Sequence, residues 1–396
     1  TALSTINSKY QTHFSGYNSN NSLLYRKQMK KYGRTFSIQL NADLNEKSGT
    51  TNNFSNNAYF LPSDTSITLD QQAEYSNGGQ TYGSSLSYTE PIGKYWALQA
   101  SYNPSINFNY ADKKTFDRNG IFNEYQALDS ILSNEYENTI QTQKGGVNLR
   151  IKKETWMIGG GLNYQSILLQ GNQRFPYAAT VSKPFENFLP SFTMQFRFTK
   201  NTNLRINYRS STNLPSVTQL QNVIDNSNTL LLSTGNPDLR QNYSHFANIR
   251  FNATNPSTSR SFFFFIMTNV IQDYIGNSTL LARKDTALDN GIILRQGTQL
   301  NKPINIDGNW VVRSFTTYST PIKKIKSTLN LNLGFTYSNL PGLINGKKNI
   351  ATTSAFNSGV VLASNISDKL DFTLTWNGYY NLVTNTLQTT SNNNYL

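Results

Sequence analysis

The chain contains no cysteine, which removes disulfides, thiolate metal sites and Cys nucleophiles from consideration. It has no apolar run approaching the roughly 18 to 20 residues that a membrane helix needs, so helical spanning is excluded. Charge is sparse as well, at 14% of residues. The two histidines, His13 and His245, lie far apart in the sequence and read as structural rather than as a base or metal pair. Gly-x-Ser-x-Gly, P-loop and dinucleotide fingerprints are all missing. Gly159-Gly160-Gly161 sits inside an alternating segment, where it relieves crowding. No catalytic residue, metal or cofactor is therefore assigned, and the expectation is a protein that is not an enzyme. The start, Thr1-Ala2-Leu3-Ser4-Thr5, lacks the basic and apolar regions of a signal peptide.

Aromatic residues are plentiful, 13% of the 396 residues, although mean hydropathy is −0.51. That combination suits a membrane barrel, whose strands hide a lipid face behind alternating polar residues. The net charge of +13 comes from small clusters at Arg26 to Arg34, Lys113-Lys114, Lys152-Lys153 and Lys323-Lys324-Lys326. Most of these fall in or beside short turns, so they read as solvated or headgroup-contacting charges, and nucleic acid is not an expected partner.

The clearest pattern runs from Phe192 to Phe251. Two alternating runs, Phe192 to Phe198 and Leu204 to Arg209, are joined by five polar residues; about thirty loop-like residues then intervene before alternation resumes at Tyr243. In each run one face is Phe, Met, Leu, Ile or Tyr and the other Thr, Gln, Arg or Asn. The same short-turn, long-loop rhythm gives seven hairpins. They pair 22–30 with 35–44, 82–88 with 96–102, 146–152 with 156–166, 192–198 with 204–209, 243–252 with 260–271, 307–318 with 326–338, and 356–363 with 370–376. Residues 1 to 21 read as a loop or frayed strand, 112 to 135 as a polar segment with room for a short helix, and Phe262 to Phe265 hides which ring faces lipid. Several of these strands are long enough to cross a bilayer tilted, whereas sandwich strands are typically shorter. The fold expected is all-β: an antiparallel transmembrane β-barrel of about fourteen strands with short periplasmic turns and long extracellular loops.

The segment Asn207-Tyr208-Arg209 through Leu214-Pro215, then Gln219-Leu220, then Gly235-Asn236-Pro237-Asp238-Leu239-Arg240 before a Tyr-led strand, resembles the barrel of TonB-dependent outer-membrane receptors. It is most similar to the outer-membrane β-barrel family common in Bacteroidetes. Lys30 to Thr35 and Tyr88 to Lys94 resemble that family's short turns. The resemblance makes Pro215, Gly235 and Pro237 structural markers of a long surface loop between neighbouring strands. It implies one domain over 1–396, part of a larger barrel and incomplete at both ends, in the outer membrane. It further implies a solute bound at external loops, a plug outside this segment and an energised periplasmic TonB-type partner. A surface lipoprotein is a further possible partner.

The loops 45 to 72, 112 to 135, 210 to 241 and 276 to 303 are the binding candidates, through stacking and multidentate hydrogen bonding. Arg205, Arg209, Asn213, Gln219, Asn236 and Asp238 are the candidate ligand-binding residues, with Arg205 and Arg209 pointing inward. Asp225, Asp238, Asp285 and Asp289 read as turn carboxylates. Two other readings stay open: a barrel that serves as scaffold in an outer-membrane complex, and a secreted all-β adhesin.

Overall fold

The computed structural model describes residues 4–59, 65–119, 124–176, 178–220, 224, 230–288, 293–364 and 371–395. The chain runs β1 (Ser4–Gln28), β2 (Thr35–Tyr59), β3 (Thr65–Ile92), β4 (Trp96–Tyr102), β5 (Ser105–Asn119), β6 (Glu124–Lys152), β7 (Trp156–Phe175), β8 (Ala179–Thr199) and β9 (Thr202–Asn213). A four-residue helix, α1 (Val217–Leu220), and β10 (Leu231–Ser233) follow. The second half holds β11 (Asn242–Asn255), β12 (Arg260–Gln272), β13 (Tyr274–Leu281), β14 (Thr286–Ala287), β15 (Ile293–Leu294), β16 (Gln299–Ile306), β17 (Asn309–Ile322), β18 (Ser327–Ile344), β19 (Lys347–Ser364), β20 (Thr373–Asn385) and β21 (Gln388–Tyr395).

All but β14 and β15 belong to one sheet. β4 and β5 pair in succession with the same strand, β3, and are one strand interrupted at Asn103-Pro104. Counted so, the wall is a meander of β1, β2, β3, β4–β5, β6, β7, β8, β9, β11, β12, β17, β18, β19, β20 and β21, each antiparallel to the next. The expected fourteen strands are all present, and β21 adds one in a stretch whose Asn and Ser content hides any period. Among the described residues β1 pairs only with β2, and β21 only with β20.

Register fixes the two faces. Leu331 and Leu333 stand opposite Val360 and Ser358 on one side and Tyr318 and Thr316 on the other, and Leu333 is 58% exposed. This side continues around the wall through Leu204, Ile206 and Ile249, and it is the hydrocarbon face. The opposite side carries an amide and hydroxyl ladder: Thr193 Oγ1 donates to Asn207 Oδ1 at 2.9 Å, Asn207 Nδ2 to Asn248 Oδ1 at 3.0 Å, and Asn252 Nδ2 to Asn203 Oδ1 at 3.2 Å. On this wet face the pairs tie neighbouring strands side chain to side chain as well as through the backbone. Phe262 and Phe264 pair with Ala253 and Phe251 on the hydrocarbon face, which leaves Phe263 and Phe265 on the lumenal one. The four-Phe ambiguity is settled by the neighbouring strands.

Several segments read as loops are strand. β2 spans 25 residues and β6 spans 29, roughly 80 to 95 Å at about 3.3 Å per residue, where about ten tilted residues cross the hydrocarbon. The 1–21, 45–72 and 112–135 segments are therefore mostly arms of hairpins that project beyond the membrane, and among their described residues there is no helix. The turn-forming dipeptide Pro341-Gly342 lies within β18, and the reversal comes at Asn345-Gly346, both at positive φ.

Candidate functional site

One connection does not continue the wall. β9 ends at Asn213, the next turn includes the buried Pro215, and the chain folds onto the lumenal side. α1 opens with a reciprocal cap: Gln219 N–H donates to Ser216 Oγ at 3.1 Å and Ser216 N–H to Gln219 Oε1 at 3.0 Å. That turn presents Leu220, which packs with Leu169 of β7 and Leu239, each 1% exposed, beside Ile140, Phe185 and Ile275. An apolar cluster on an otherwise wet lumenal face is what holds the loop inside the mouth. The Gly-Asn-Pro-Asp-Leu turn closes onto α1: Asn236 N–H donates to the Gln219 carbonyl at 2.6 Å, and Asn236 Oδ1 accepts from Asp238 N–H at 3.1 Å.

The hairpin that follows turns over. Below, β12 pairs with β17 and β17 with β18. Above the bends at Asp273 (φ 50°) and Gly308 (φ 109°), β13 lies against β18, in parallel, and β16 against β10. The two arms have exchanged sides, so β16 faces the inward loop. Asn236 Nδ2 donates to the Pro303 carbonyl at 3.0 Å, and Asn305 Nδ2 to the carbonyls of Arg240 and Asp273, each at 2.9 Å. A second apolar cluster, Ile224, Leu232, Ala282 and Leu294 with Leu288 and Leu300, joins loop and hairpin into one cap.

Between this cap and the projecting wall lies a cavity of about 440 Å³. The wall contributes Tyr75, Asn77, Lys113 and Tyr136, the cap Thr218, Gln219 and Gly235, and the turned hairpin Asn277 and Asn301. Lys113 Nζ stands 5.7 Å from the centre of the Tyr75 ring. Burial pushes the Tyr136 phenol above its usual range, keeping it a neutral hydroxyl. Asp112, also on the cavity border, holds Lys114 at 3.0 Å through Oδ2, while its buried Oδ1 has no hydrogen-bond partner. Amides, hydroxyls and two phenol rings are the commonest lining groups, while Ala111, Leu132, Ile224 and Pro303 add apolar surface and Asp112 and Lys113 bring one charge of each sign. A wider groove of about 760 Å³ lies elsewhere, where Leu23, Leu40, Tyr82 and Ile106 share the hydrocarbon face, and is not a solute site.

Of the expected residues, Gln219 and Gly235 border the cavity and Asn236 braces it from behind. Asp238 and Pro237 are exposed on the outer side of the turn, and Asn213 is exposed at the end of β9. Arg205 and Arg209 lie deeper on the lumenal wall, Arg205 donating to Gln195 Oε1 at 3.2 Å and Arg209 stacked 4.9 Å from the Phe246 ring centre. The structure does not bring these arginines to the cavity. Asp225 and Asp289 lie outside the described residues. Among the described residues no group of three or more His, Asp or Glu is placed to hold a metal.

A β-meander with one face wet and one face apolar, its long strands joined by short turns at one end, defines an integral outer-membrane β-barrel protein. The outer membrane protein beta-barrel family profile matches residues 27–396, and the chain belongs to that family. No curated protein matches the chain. Among solved structures it is similar to the copper transporter OprC (10% identity, 93% of this chain and 64% of that one, TM-score 0.50). It is also similar to a double mutant of the Serratia marcescens hemophore receptor HasR in complex with its hemophore HasA and heme (10% identity, 94% and 68%, TM-score 0.48). The likeness is one of fold, and the chain spans about two thirds of the length of these structures.

Proposed function

We propose that this barrel belongs to a receptor of TonB-dependent type that captures a small polar solute in the mouth cavity for uptake across the outer membrane. The observation that carries this reading is the cap itself. The described parts of the 214–241 loop are folded into the mouth on Leu169 and border an amide-bearing cavity against the wall, where a purely structural barrel would need only a short connection. Release inward would pass Arg205 and Arg209 on the lumenal wall, with a plug and an energised periplasmic partner supplying the opening. No group placed for catalysis is needed in this role.

The test is growth and radiolabelled uptake in a strain deleted for the full-length gene, across panels of polar solutes at limiting concentration. The expected result is loss of uptake of one solute class, restored by the wild-type gene and weakened at least tenfold in KM by a Gln219→Ala/Asn301→Ala pair, which removes two cavity amides. Unchanged uptake of every solute, together with loss of other proteins from the outer-membrane fraction, would overturn the receptor reading. It would favour a scaffold, for which the projecting arms of β1 to β6 offer a docking wall for a surface lipoprotein.

A further inference from the structure

The positive charge of this chain is not spread over it. The turns at 29–34, 93–95, 153–155, 200–201 and 323–326 together hold nine Lys and Arg and a single carboxylate, Glu154. At the other end the sign reverses: residues 105–143 carry three Lys and Arg against six Asp and Glu, and residues 41–81 one against five. A carboxylate near the short-turn rim, Glu90, is already engaged by Lys31 at 2.6 Å and Arg34 at 2.7 Å, so it does not neutralise the remaining turns.

Each basic turn also exposes an apolar or aromatic side chain beside its cations. Tyr32, 90% exposed, sits between Lys31 and Arg34; Ile325, 46% exposed, between Lys324 and Lys326; and Phe198, 59% exposed, precedes Lys200. Lys153 Nζ lies 5.3 Å from the Trp156 ring centre and 5.8 Å from that of Tyr95. Rings and aliphatic chains of this kind settle at the boundary between acyl chains and headgroups, which sets the depth of the neighbouring ammonium groups at the phosphates. Lysines dominate over arginines here, and a lysine is a point charge that suits mobile phosphodiesters better than one fixed carboxylate.

From this geometry we infer that the short-turn rim is a selective contact surface for anionic phospholipid headgroups in the periplasmic leaflet. Zwitterionic lipid meets the same rings but gains less from the cations, since its own ammonium offsets its phosphate. The surface is independent of the solute cavity, which lies at the opposite end of the barrel.

The experiment uses the full-length protein in non-ionic detergent micelles containing equal amounts of phosphatidylethanolamine and phosphatidylglycerol, with bound lipid counted by native mass spectrometry. Wild type is expected to retain phosphatidylglycerol over phosphatidylethanolamine by at least roughly fivefold, and salt at roughly 0.5 M should erase the difference. A K323Q/K324Q/K326Q variant should lose most of the preference, the corresponding Lys→Arg triple should keep it, and Lys9→Gln with Lys47→Gln at the far end should leave it unchanged. Equal retention of the two lipids by wild type overturns the inference without reference to any variant. So does a preference that survives the Gln triple, or displacement of the lipid by millimolar inorganic phosphate, which would mark a free-phosphate site.

Discussion

The Arg240 guanidinium meets the Asp273 carboxylate at 2.5 Å, tying the end of the inward loop to the bend where β12 becomes β13. Their side chains are 70% and 35% exposed, so water screens the pair and its worth is at most about 1 kcal/mol. Asn305, by contrast, bridges the backbone carbonyls of the same two residues. Arg240→Ala is therefore expected to leave the cap in place, whereas Asn305→Ala should loosen it. Hydrogen exchange of the 231–241 amides distinguishes the two, and equal protection in both variants would contradict the assignment.

Leu220→Ala removes a side chain that is 1% exposed, at a cost of about 2 to 5 kcal/mol for a buried leucine. That cost falls on the cap rather than on the wall, whose strands are held by backbone pairing. Limited proteolysis should cut the variant within 210–241, while its heat-modifiable mobility on a gel stays that of wild type. Loss of the compact band would mean the loop is needed for the barrel itself.

Faces can be tested by one charge moved by one residue. Leu333→Arg puts a guanidinium on the hydrocarbon face, costing about 2 to 4 kcal/mol near the bilayer midplane. Asn332→Arg puts it on the wet lumenal face, where Asn332 accepts from Thr317 Oγ1 at 3.0 Å. The folded fraction after refolding into vesicles should drop for the first substitution and change little for the second.

Tyr136 supplies an alkaline signature. Its phenol pKa is raised by burial, so the folded state holds that proton more tightly than the unfolded chain does. The resulting stabilisation is complete below the unfolded value near 10 and is lost as pH rises through the folded one. Phenolate absorbance should show one fewer late-titrating tyrosine in Tyr136→Phe than in wild type.

Strands whose two faces meet different solvents were legible. Leu329 to Tyr337 alternates because Asn330, Asn332 and Thr336 face the wet side, and the paired strands confirm it. Where both faces meet water the signal vanishes. Asn52, Asn53, Gln71 and Gln72 sit in a projecting hairpin, yet nothing in their polarity separates arm from loop. Tyr75 of the cavity was missed for that reason and Lys113 was reached only as part of the 112–135 segment, while Gln219 and Asn236 were reached through a family motif. The turned hairpin left one trace, the turn dipeptide Asp307-Gly308, which was absorbed into the expected strand 307–318. A half turn over the neighbouring arm depends on what the loop beside it offers, and local pattern does not report that.

The single-partner edges of β1 and β21 carry a constraint of parity. Fifteen strands in strict up-and-down order send β1 and β21 in the same direction, both toward the short turns. Joined edge to edge they would form one parallel pair in an otherwise antiparallel wall, with slanted hydrogen bonds along the seam. A ring that is antiparallel throughout has an even number of strands, and within hydrocarbon each unpaired backbone group costs several kcal/mol. Strand direction at β1 and β21 thus sets which pairings the membrane would accept along those two edges.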